Sequence, residues 1–301
     1  MHGKILVIGS SNTDMVVKTR NFPNPGETVL GGTFMMHPGG KGANQAVAAA
    51  RLGGDVRFVA KLGEDTFGAQ ALDGLKKEGL DVGYMCRTPQ FASGVALITV
   101  NAQGENEIVV ASGANMELTP DDLPDVVFRE IDLVLIQLEI PLETVTYIIR
   151  KCTNLNIRTI LNPAPATQLD DLLLRQLYLI TPNETETEIS TGIMPSDETS
   201  LRRAAQFLRD KGVGNVIITL GKRGVYLLND VHDLLIPAPE VIAIDTTAAG
   251  DVFNGAIATA LSKGKNWITA CELACQAAAL SVTRPGAQSS APYASEIKIL
   301  N

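Results

Sequence analysis

The sequence predicts an α/β fold, with a doubly wound, mostly parallel sheet flanked by helices and a small β-sheet lid. Two observations predict it. Short runs rich in Val, Ile and Leu alternate with longer helical patterns along the 301 residues, which is the rhythm of parallel strands joined by crossover helices. Two segments, approximately 15–36 and 94–111, break that rhythm with paired strand-like runs around polar turns, so they read as insertions that form a separate sheet over a site. The whole chain, 1–301, is thus expected to be one α/β domain with a lid.

Taken in order, Ile5 to Ile8 is a short apolar run after Met1 to Lys4, too brief for a signal peptide and suited to a first buried strand. Met15 to Lys18 and Thr28 to Met36 form a strand pair joined by the turn-rich Asn21 to Gly26. Asn44 to Leu52 reads as a helix, Val56 to Val59 as the next strand and Phe67 to Glu78 as the next helix. Val95 to Val100 and Glu107 to Val110 form a hairpin whose turn contains Gly104. Leu133 to Ile136, Thr159 to Leu161, Tyr178 to Ile180 and Val216 to Thr219 continue the parallel pattern, with Val225 to Leu228 beyond them. Leu142 to Cys152, Ser200 to Lys211, Gly250 to Leu261 and Trp267 to Val282 read as helices. Gly53, Gly79, Gly212 and Gly264 stand where helices should stop. Neither internal repeats nor low-complexity tracts interrupt the chain.

Composition narrows the function. With 45% hydrophobic and 19% charged residues, the chain matches ordinary globular proteins, and no apolar run approaches the roughly 20 residues of a membrane span. A net charge of −8 without a Lys/Arg cluster argues against a nucleic-acid partner. The three histidines, His2, His37 and His232, sit beside no Ser or Cys in a triad-like pattern, which leaves proton transfer to carboxylates. Cys86, Cys152, Cys271 and Cys275 contain no C-x-x-C pair, in keeping with a reducing cytoplasm. Cys271 and Cys275, four apart on a helical pattern, read as buried thiols in preference to a metal pair.

Four motifs carry chemistry. Asp245 to Ala256 runs through small residues into an Ala-rich helix, leaving backbone N–H groups near Ala249, Gly250 and Asp251 free to hold an anion. Asp251 at that helix start can orient a hydroxyl and take its proton during phosphoryl transfer; a simple helix cap is the other reading of the residue. His37 to Ala46 sets Gly39, Gly40 and Gly42 before a second helix, with Lys41 and Asn44 as donors. Neither Walker A nor dinucleotide-binding glycine spacing fits, because Met35 and Gln45 occupy glycine positions and Gly42 follows the lysine. Thr181 to Glu186 follows a strand and places Asn183 and Glu186 three apart, suited to Mg²⁺ or its waters. Thr219 to Gly224 lies between two strands and can present backbone groups and positive charge to phosphates; a surface turn is the alternative for both segments.

Together the stretches Gly39 to Ala46 and Asp245 to Ala256 resemble the two signatures of the ribokinase family of carbohydrate kinases. Asn12-Thr13-Asp14, Gln137-Leu138-Glu139, Asn162 to Ala166, Asn183 to Glu186, the Gly221 loop and Thr283 to Gln288 extend the resemblance over nearly the whole chain. It implies a sugar kinase using ATP and Mg²⁺, acting on the 5-hydroxymethyl oxygen of D-ribose, with Asp251 as base and Gly250 and Ala249 beside it. By position Asn12, Asp14, Gly40, Lys41, Asn44, Glu139 and Asp251 would bind sugar. Asn183, Thr219, Gly221, Gly224, Gly250 and Cys275 would meet ATP. Glu186 would hold Mg²⁺ through water, and Asp245, Thr247, Ser281, Arg284, Gly286 and Ser290 a K⁺ ion, mostly through backbone carbonyls. It further implies a homodimer paired through the β lid. Ala248, where many relatives carry glycine, is expected to restrict its loop, since Ala favours φ below zero. Alternatives are a 2-deoxyribose or nucleoside kinase of the same family and a catalytically silent sugar-binding regulator.

Overall fold

The computed structural model describes residues 3–297; Met1, His2 and residues 298–301 lie outside it. Eight strands form the main sheet, in the order Asp233–Ile236, Val225–Leu228, Val216–Thr219, Leu179–Ile180, Arg158–Leu161, Ile131–Ile136, Lys4–Ile8 and Asp55–Val59. Pairing is parallel from Val216–Thr219 through to Asp55–Val59, and the last two pairs at the other edge are antiparallel. Strand side chains alternate between faces. Ile5 and Val7 therefore enter one apolar core with the Lys41–Arg51, Ala249–Ser262 and Trp267–Ser281 helices, whereas Leu6 and Ile8 enter a second with the Leu142–Asn154 and Glu198–Asp210 helices. Covering both faces explains why these strands read as unbroken apolar runs.

The order of strands fixes where a ligand can sit. From Lys4–Ile8 the chain first reaches Asp55–Val59 on one side, then crosses to Ile131–Ile136 on the other and steps outward. The carboxyl ends of strands beside such a reversal leave a crevice, and ligands bind there in open α/β sheets. Residues Gly9 to Asp14 and Gln137 to Glu139 emerge at that place.

Four strands, in the order Thr33–Gly39, Asn12–Lys18, Gly94–Val100 and Asn106–Ala111, form a separate sheet, built from the segments expected as a lid. Its pairing includes a parallel pair, Asn12–Lys18 with Gly94–Val100, between two antiparallel ones. The lid strand predicted to begin at Thr28 begins at Thr33 instead, because Gly31 adopts φ 89° and Thr28 to Leu30 are exposed, leaving that stretch nothing to pair with. Asn12 to Asp14 belong to the lid strand, so the lid is continuous with the switch-point crevice. A two-stranded sheet, Lys61–Gly63 with Cys86–Thr88, and the Glu184–Thr191 helix have no counterpart in the sequence reading. The four predicted helix-stop glycines all have positive φ, between 71° and 97°, as a left-handed helix end requires.

Two long-range contacts set the helices against each other. A Cβ on Gly255 would come 2.6 Å from the Gln45 carbonyl oxygen and 2.7 Å from the Ala48 Cβ, so the Ala249–Ser262 and Lys41–Arg51 helices touch backbone to backbone. A Cβ on Gly42 would lie 2.6 Å from the Ser10 nitrogen, which brings the start of the Lys41 helix against the crevice.

Candidate active site

Gly40, at φ 89°, ends the lid strand and caps the Lys41–Arg51 helix, so that helix starts three residues earlier than its apolar pattern suggests. Its first turn presents Lys41, Asn44 and Gln45 to the crevice. Across it stands Asp251, in the first turn of the Ala249–Ser262 helix. Asn44 Nδ2 donates to one Asp251 carboxylate oxygen at 3.0 Å and Gln45 Nε2 to the other at 2.9 Å. Both oxygens of Asp251 are thus held by side chains of another helix, which rejects the simple cap reading. Burial pushes the Asp251 carboxyl above the ordinary carboxylate range, although Lys41, Gln45 and Asn44 oppose it.

Gln45 belongs to a buried chain of amides. Gln137 Nε2 donates to Gln45 Oε1 at 2.6 Å, Gln45 Nε2 also donates to Asn162 Oδ1 at 2.9 Å, and Asn162 Nδ2 donates to the Thr181 carbonyl at 3.3 Å. Thr181 Oγ1 then donates to Asn254 Oδ1 at 2.6 Å, and Asn254 Nδ2 to the Gly250 carbonyl at 2.8 Å. Gln137, Asn162 and Thr181 follow three neighbouring strands directly, so the chain runs along the carboxyl edge of the sheet and ends at the Asp251 helix. Ser10, Gln45, Gln137, Asn162 and Thr181 receive no individual role from the sequence, although Gln137, Asn162 and Thr181 lie in stretches singled out there. For Gln137, Asn162 and Thr181 the available signal was a polar residue immediately after a buried strand.

The carboxylates expected on the sugar side converge on the same place. Glu139 Oε2 accepts from the Lys41 backbone N–H at 3.0 Å and from the Ser10 hydroxyl. Asp14, on the lid strand, lies so near Gly39 that a Cβ there would fall 2.2 Å from its carboxylate. Burial, together with the charges of Glu139 and Asp251, pushes Asp14 up from 3.8 to about 6. Burial acts to lower the Lys41 ammonium, but Asp251, Glu139 and Glu186 outweigh it and hold its pKa above the ordinary value. One cation thereby serves carboxylates from three separate stretches of chain. Asn44 Oδ1 is buried and has no hydrogen-bond partner, an acceptor that a ligand hydroxyl would satisfy. Asn12 is more committed, since its Oδ1 accepts from Asn115 Nδ2 at 2.7 Å.

At the helix start, Ala248 adopts φ 58°, in the left-handed region. The expected restriction of this loop is overcome, at a cost on the order of 1–2 kcal/mol for a residue with a Cβ. The Ala249 N–H bonds the Thr246 carbonyl at 3.3 Å, which corrects its predicted role as a free donor. The N–H groups of Gly250 and Asp251 are left without a backbone acceptor among the described residues. A Cβ on Gly250 would meet nothing within 4 Å, so a ligand can approach those donors.

The expected nucleotide side lies next to this. Asn183 and Glu186 cap the Glu184–Thr191 helix reciprocally, Asn183 Oδ1 accepting from the Glu186 N–H at 2.8 Å and Glu186 Oε2 from the Asn183 N–H at 2.9 Å. Thr219 bridges to Asn183 across the sheet edge. Gly221 and Gly224 have φ 54° and 97°; a Cβ on Gly224 would strike the Ile236 carbonyl at 2.1 Å, whereas Gly221 faces open space. Cys275 does not line a surface. It is buried with Cys271 in the apolar core, where desolvation drives both thiols up, Cys275 to about 12.

Of the residues expected around K⁺, Asp245, Thr247 and Gly286 meet. Asp245 Oδ2 accepts from the Gly286 N–H and Oδ1 from the Thr247 N–H, at 2.8 and 2.9 Å, and the Val282 carbonyl accepts from Ile244 and Asp245. Arg284 pairs with Glu296. Burial works against the Asp245 carboxylate, but the Gly286 and Thr247 donors keep its pKa below the ordinary value. Among the described residues no three His, Cys, Asp or Glu side chains cluster as metal ligands. The donors on offer near Asp245 are carbonyls and hydroxyls, a set that fits a hard monovalent ion. Any Mg²⁺ here must rely on phosphates, water and a lone carboxylate, as Glu186 would provide.

Comparison with known proteins bears on this geometry. A model of the pfkB family carbohydrate kinases matches residues 2–294. The chain belongs to that family. It is 43% identical to the ribokinase of Haemophilus influenzae over 298 residues, covering 98% of this chain and 97% of that protein. The deoxyribokinase of Salmonella typhi is 39% identical over 291 residues, covering 96% and 95%. The solved structure of Arabidopsis thaliana ribokinase complexed with ribose and ATP superposes with a TM-score of 0.93 at 30% identity, covering 100% of this chain and 99% of that one. The doubly wound sheet and the smaller separate sheet are therefore those of the family fold.

Proposed function

We propose that the chain transfers the γ-phosphoryl group of ATP to the 5-hydroxymethyl oxygen of D-ribose, giving ribose 5-phosphate and ADP. The observation that carries this is the meeting of Asp251, Asn44 and Lys41 at a helix start whose Gly250 and Asp251 amides are free. Asp251 accepts a hydrogen bond from the reacting hydroxyl and takes its proton as the new O–P bond forms, while the bond from the γ-phosphorus to the ADP oxygen breaks. Its raised pKa suits a base that has to hold that proton. The two amides and Lys41 stabilise charge on the phosphoryl oxygens without moving. Asp14, the Asn44 Oδ1 acceptor and the remaining Asn12 N–H₂ group offer hydrogen bonds to the other sugar hydroxyls, and Glu139 fixes Ser10 and the Lys41 turn around them.

ATP lies along Asn183, Thr219 to Gly224 and Gly250. Glu186 would hold Mg²⁺ there through water, and the ion would supply charge neutralisation at the phosphates. Asp245, Thr247, Ser281, Arg284, Gly286 and Ser290 would hold K⁺, mostly through backbone carbonyls, which would support the loop that bears the two amides. The lid exposes Phe34, Met36, Leu97, Ile108, Val109 and Val110, Val109 at 67%, a patch fit to pair with a second copy in a homodimer. None of the described helices is long and apolar enough to cross a membrane, and the reading is of a cytoplasmic enzyme whose whole chain, lid included, is one catalytic unit. Because a deoxyribokinase stands at 39% identity, 2-deoxyribose is the second reading, differing by one hydroxyl. Assay of ADP release with ribose, 2-deoxyribose, hexoses and nucleosides tests both. Ribose should give the highest kcat/KM; preference for 2-deoxyribose selects the second reading, and no ADP release with any sugar removes the kinase assignment.

A further inference from the structure

The last residue of the Lys41–Arg51 helix has a connection that the reaction as described does not use. Arg51 Nε and Nη2 donate to the two oxygens of Glu78 at 2.8 and 2.6 Å, and Nη1 donates to the carbonyls of Gln288 and Ala291 at 2.6 and 2.9 Å. Its guanidinium also lies 4.9 Å from the centre of the Tyr293 ring. Gln288 and Ala291 bracket the turn that contains Ser290, whose N–H and hydroxyl both bond the Ala287 carbonyl. Two residues ahead of that turn, Gly286 donates to Asp245, and Asp245 in turn accepts from Thr247 at the start of the loop that carries the Gly250 and Asp251 amides.

Gln288 and Ser289 line a hollow of about 330 Å³ together with Arg51, Glu78, Gln70, Gly74, Ser11 and Thr13, apart from Asp251. The Arg51–Glu78 pair stands in the wall of that hollow, where the two Nη1 bonds hold the turn. Arg51 sits on the helix whose first turn holds Asp251 through Asn44 and Gln45, and Gly255 packs this helix backbone to backbone against the Asp251 helix. A single rigid rod thus has the sugar turn at one end and the Gly286–Ala291 loop at the other.

We propose that Arg51 is a positioning residue for the monovalent-cation loop, holding the carbonyls of Gly286 to Ser290 in place for K⁺ through its two bonds to the Gln288 and Ala291 carbonyls. The inference rests on the K⁺ reading given above. A planar fork that serves a carboxylate and two carbonyls at once has no equivalent in lysine, whose point charge can satisfy only part of the set. Glu78 shares the ion pair but does not touch the loop, so Glu78→Gln removes the charge partner while leaving both carbonyl bonds possible.

The test measures K⁺ activation and the rise in Tm on adding K⁺ in place of N-methylglucamine, for the unaltered enzyme, Arg51→Lys, Arg51→Met and Glu78→Gln. The K⁺ concentration for half-activation should increase about tenfold in both Arg51 variants, and their K⁺-dependent rise in Tm should shrink with it. Ribose KM at saturating K⁺ should stay within about threefold, because a change of about 0.6 kcal/mol or less means the sugar turn is intact. Glu78→Gln should lower Tm in either salt and leave the K⁺ response unchanged. An Arg51 pair that responds to K⁺ like the unaltered enzyme overturns the proposal alone; an unaltered enzyme blind to K⁺ overturns the cation reading and the proposal with it. Should the Arg51 variants not fold, hydrogen exchange on the unaltered enzyme decides. K⁺ must slow exchange at the amides of residues 286–291, and unchanged exchange there rejects the role.

Discussion

Replacing Asp14 by Asn tests the electrostatics of the sugar site through folding stability. Asp14 is held at about 6 against an ordinary 3.8, first by burial and then by the like charges of Glu139 and Asp251. Between those values the folded state binds a proton that the unfolded chain has released, so stability falls as pH rises through the window and levels off above it. A gap of about two pKa units, at about 1.4 kcal/mol each, puts the cost of the ionised carboxylate near 3 kcal/mol. Asn retains the shape and removes the charge. The stability difference, Asp14→Asn minus unaltered enzyme, should therefore grow in favour of the variant from pH 4 to pH 7, by up to about 3 kcal/mol, and be flat above pH 7. Urea denaturation of both proteins at unit steps of pH measures it. A difference that does not change between pH 4 and pH 7 would refute the raised pKa and with it the picture of crowded carboxylates. The same variant should bind ribose on the order of 10–100-fold more weakly, since a charge-assisted hydrogen bond of about 1.5–3 kcal/mol is weakened, a case of stability given up for function.

Other expectations concern the two helices and their loop. Gly255→Ala forces a methyl group to within 2.6 Å of the Gln45 carbonyl, and should cost about 1–3 kcal/mol in urea denaturation and lower kcat as Gln45 separates from Asp251; wild-type stability would mean that the helix contact is looser than described. Ala248→Gly relieves the left-handed strain at φ 58° and should stabilise by up to about 1 kcal/mol, the strain gain less the entropy of glycine, read as a higher urea midpoint. A lower midpoint would show that the Ala248 methyl makes contacts worth more than the strain. On the acid side, kcat/KM should fall from a higher pH than an ordinary carboxylate would give, because Asp14 and Asp251 both carry raised pKa values, Asp251 having to be ionised to take the hydroxyl proton and Asp14 to keep a charge-assisted bond to the sugar; a profile flat down to pH 5 contradicts this.

Much of the fold was legible because buried parallel strands announce themselves. Ile5 to Ile8 and Leu133 to Ile136 are apolar at every position since both faces of the sheet are covered. The Asp233–Ile236 edge strand was not, for its burial is partial and alternates with exposure. In the site, Lys41, Asn44 and Asp251 stand beside glycine-rich helix starts, a local signal with a physical reason. Gln45 and Asn254 carry no such mark, being polar residues within otherwise ordinary helices. The amide chain through Gln137, Asn162 and Thr181 exists only because three strands far apart in sequence are neighbours in the sheet. Asn183 and Glu186 form a capping box, a meaning the sequence did not separate from a metal-side pair because both share the same spacing. Ala248 ran against intrinsic preference, as residues at functional turns often do.

The most direct test of the catalytic centre is steady-state kinetics of Asp251→Asn with ribose and ATP. Asn retains the contact with Gln45 or Asn44 but cannot take the hydroxyl proton, so kcat should fall on the order of 10²-fold or more while ribose KM stays within a few-fold. Turnover equal to that of the unaltered enzyme would contradict the account, because the proton would then be leaving by a route that does not involve Asp251.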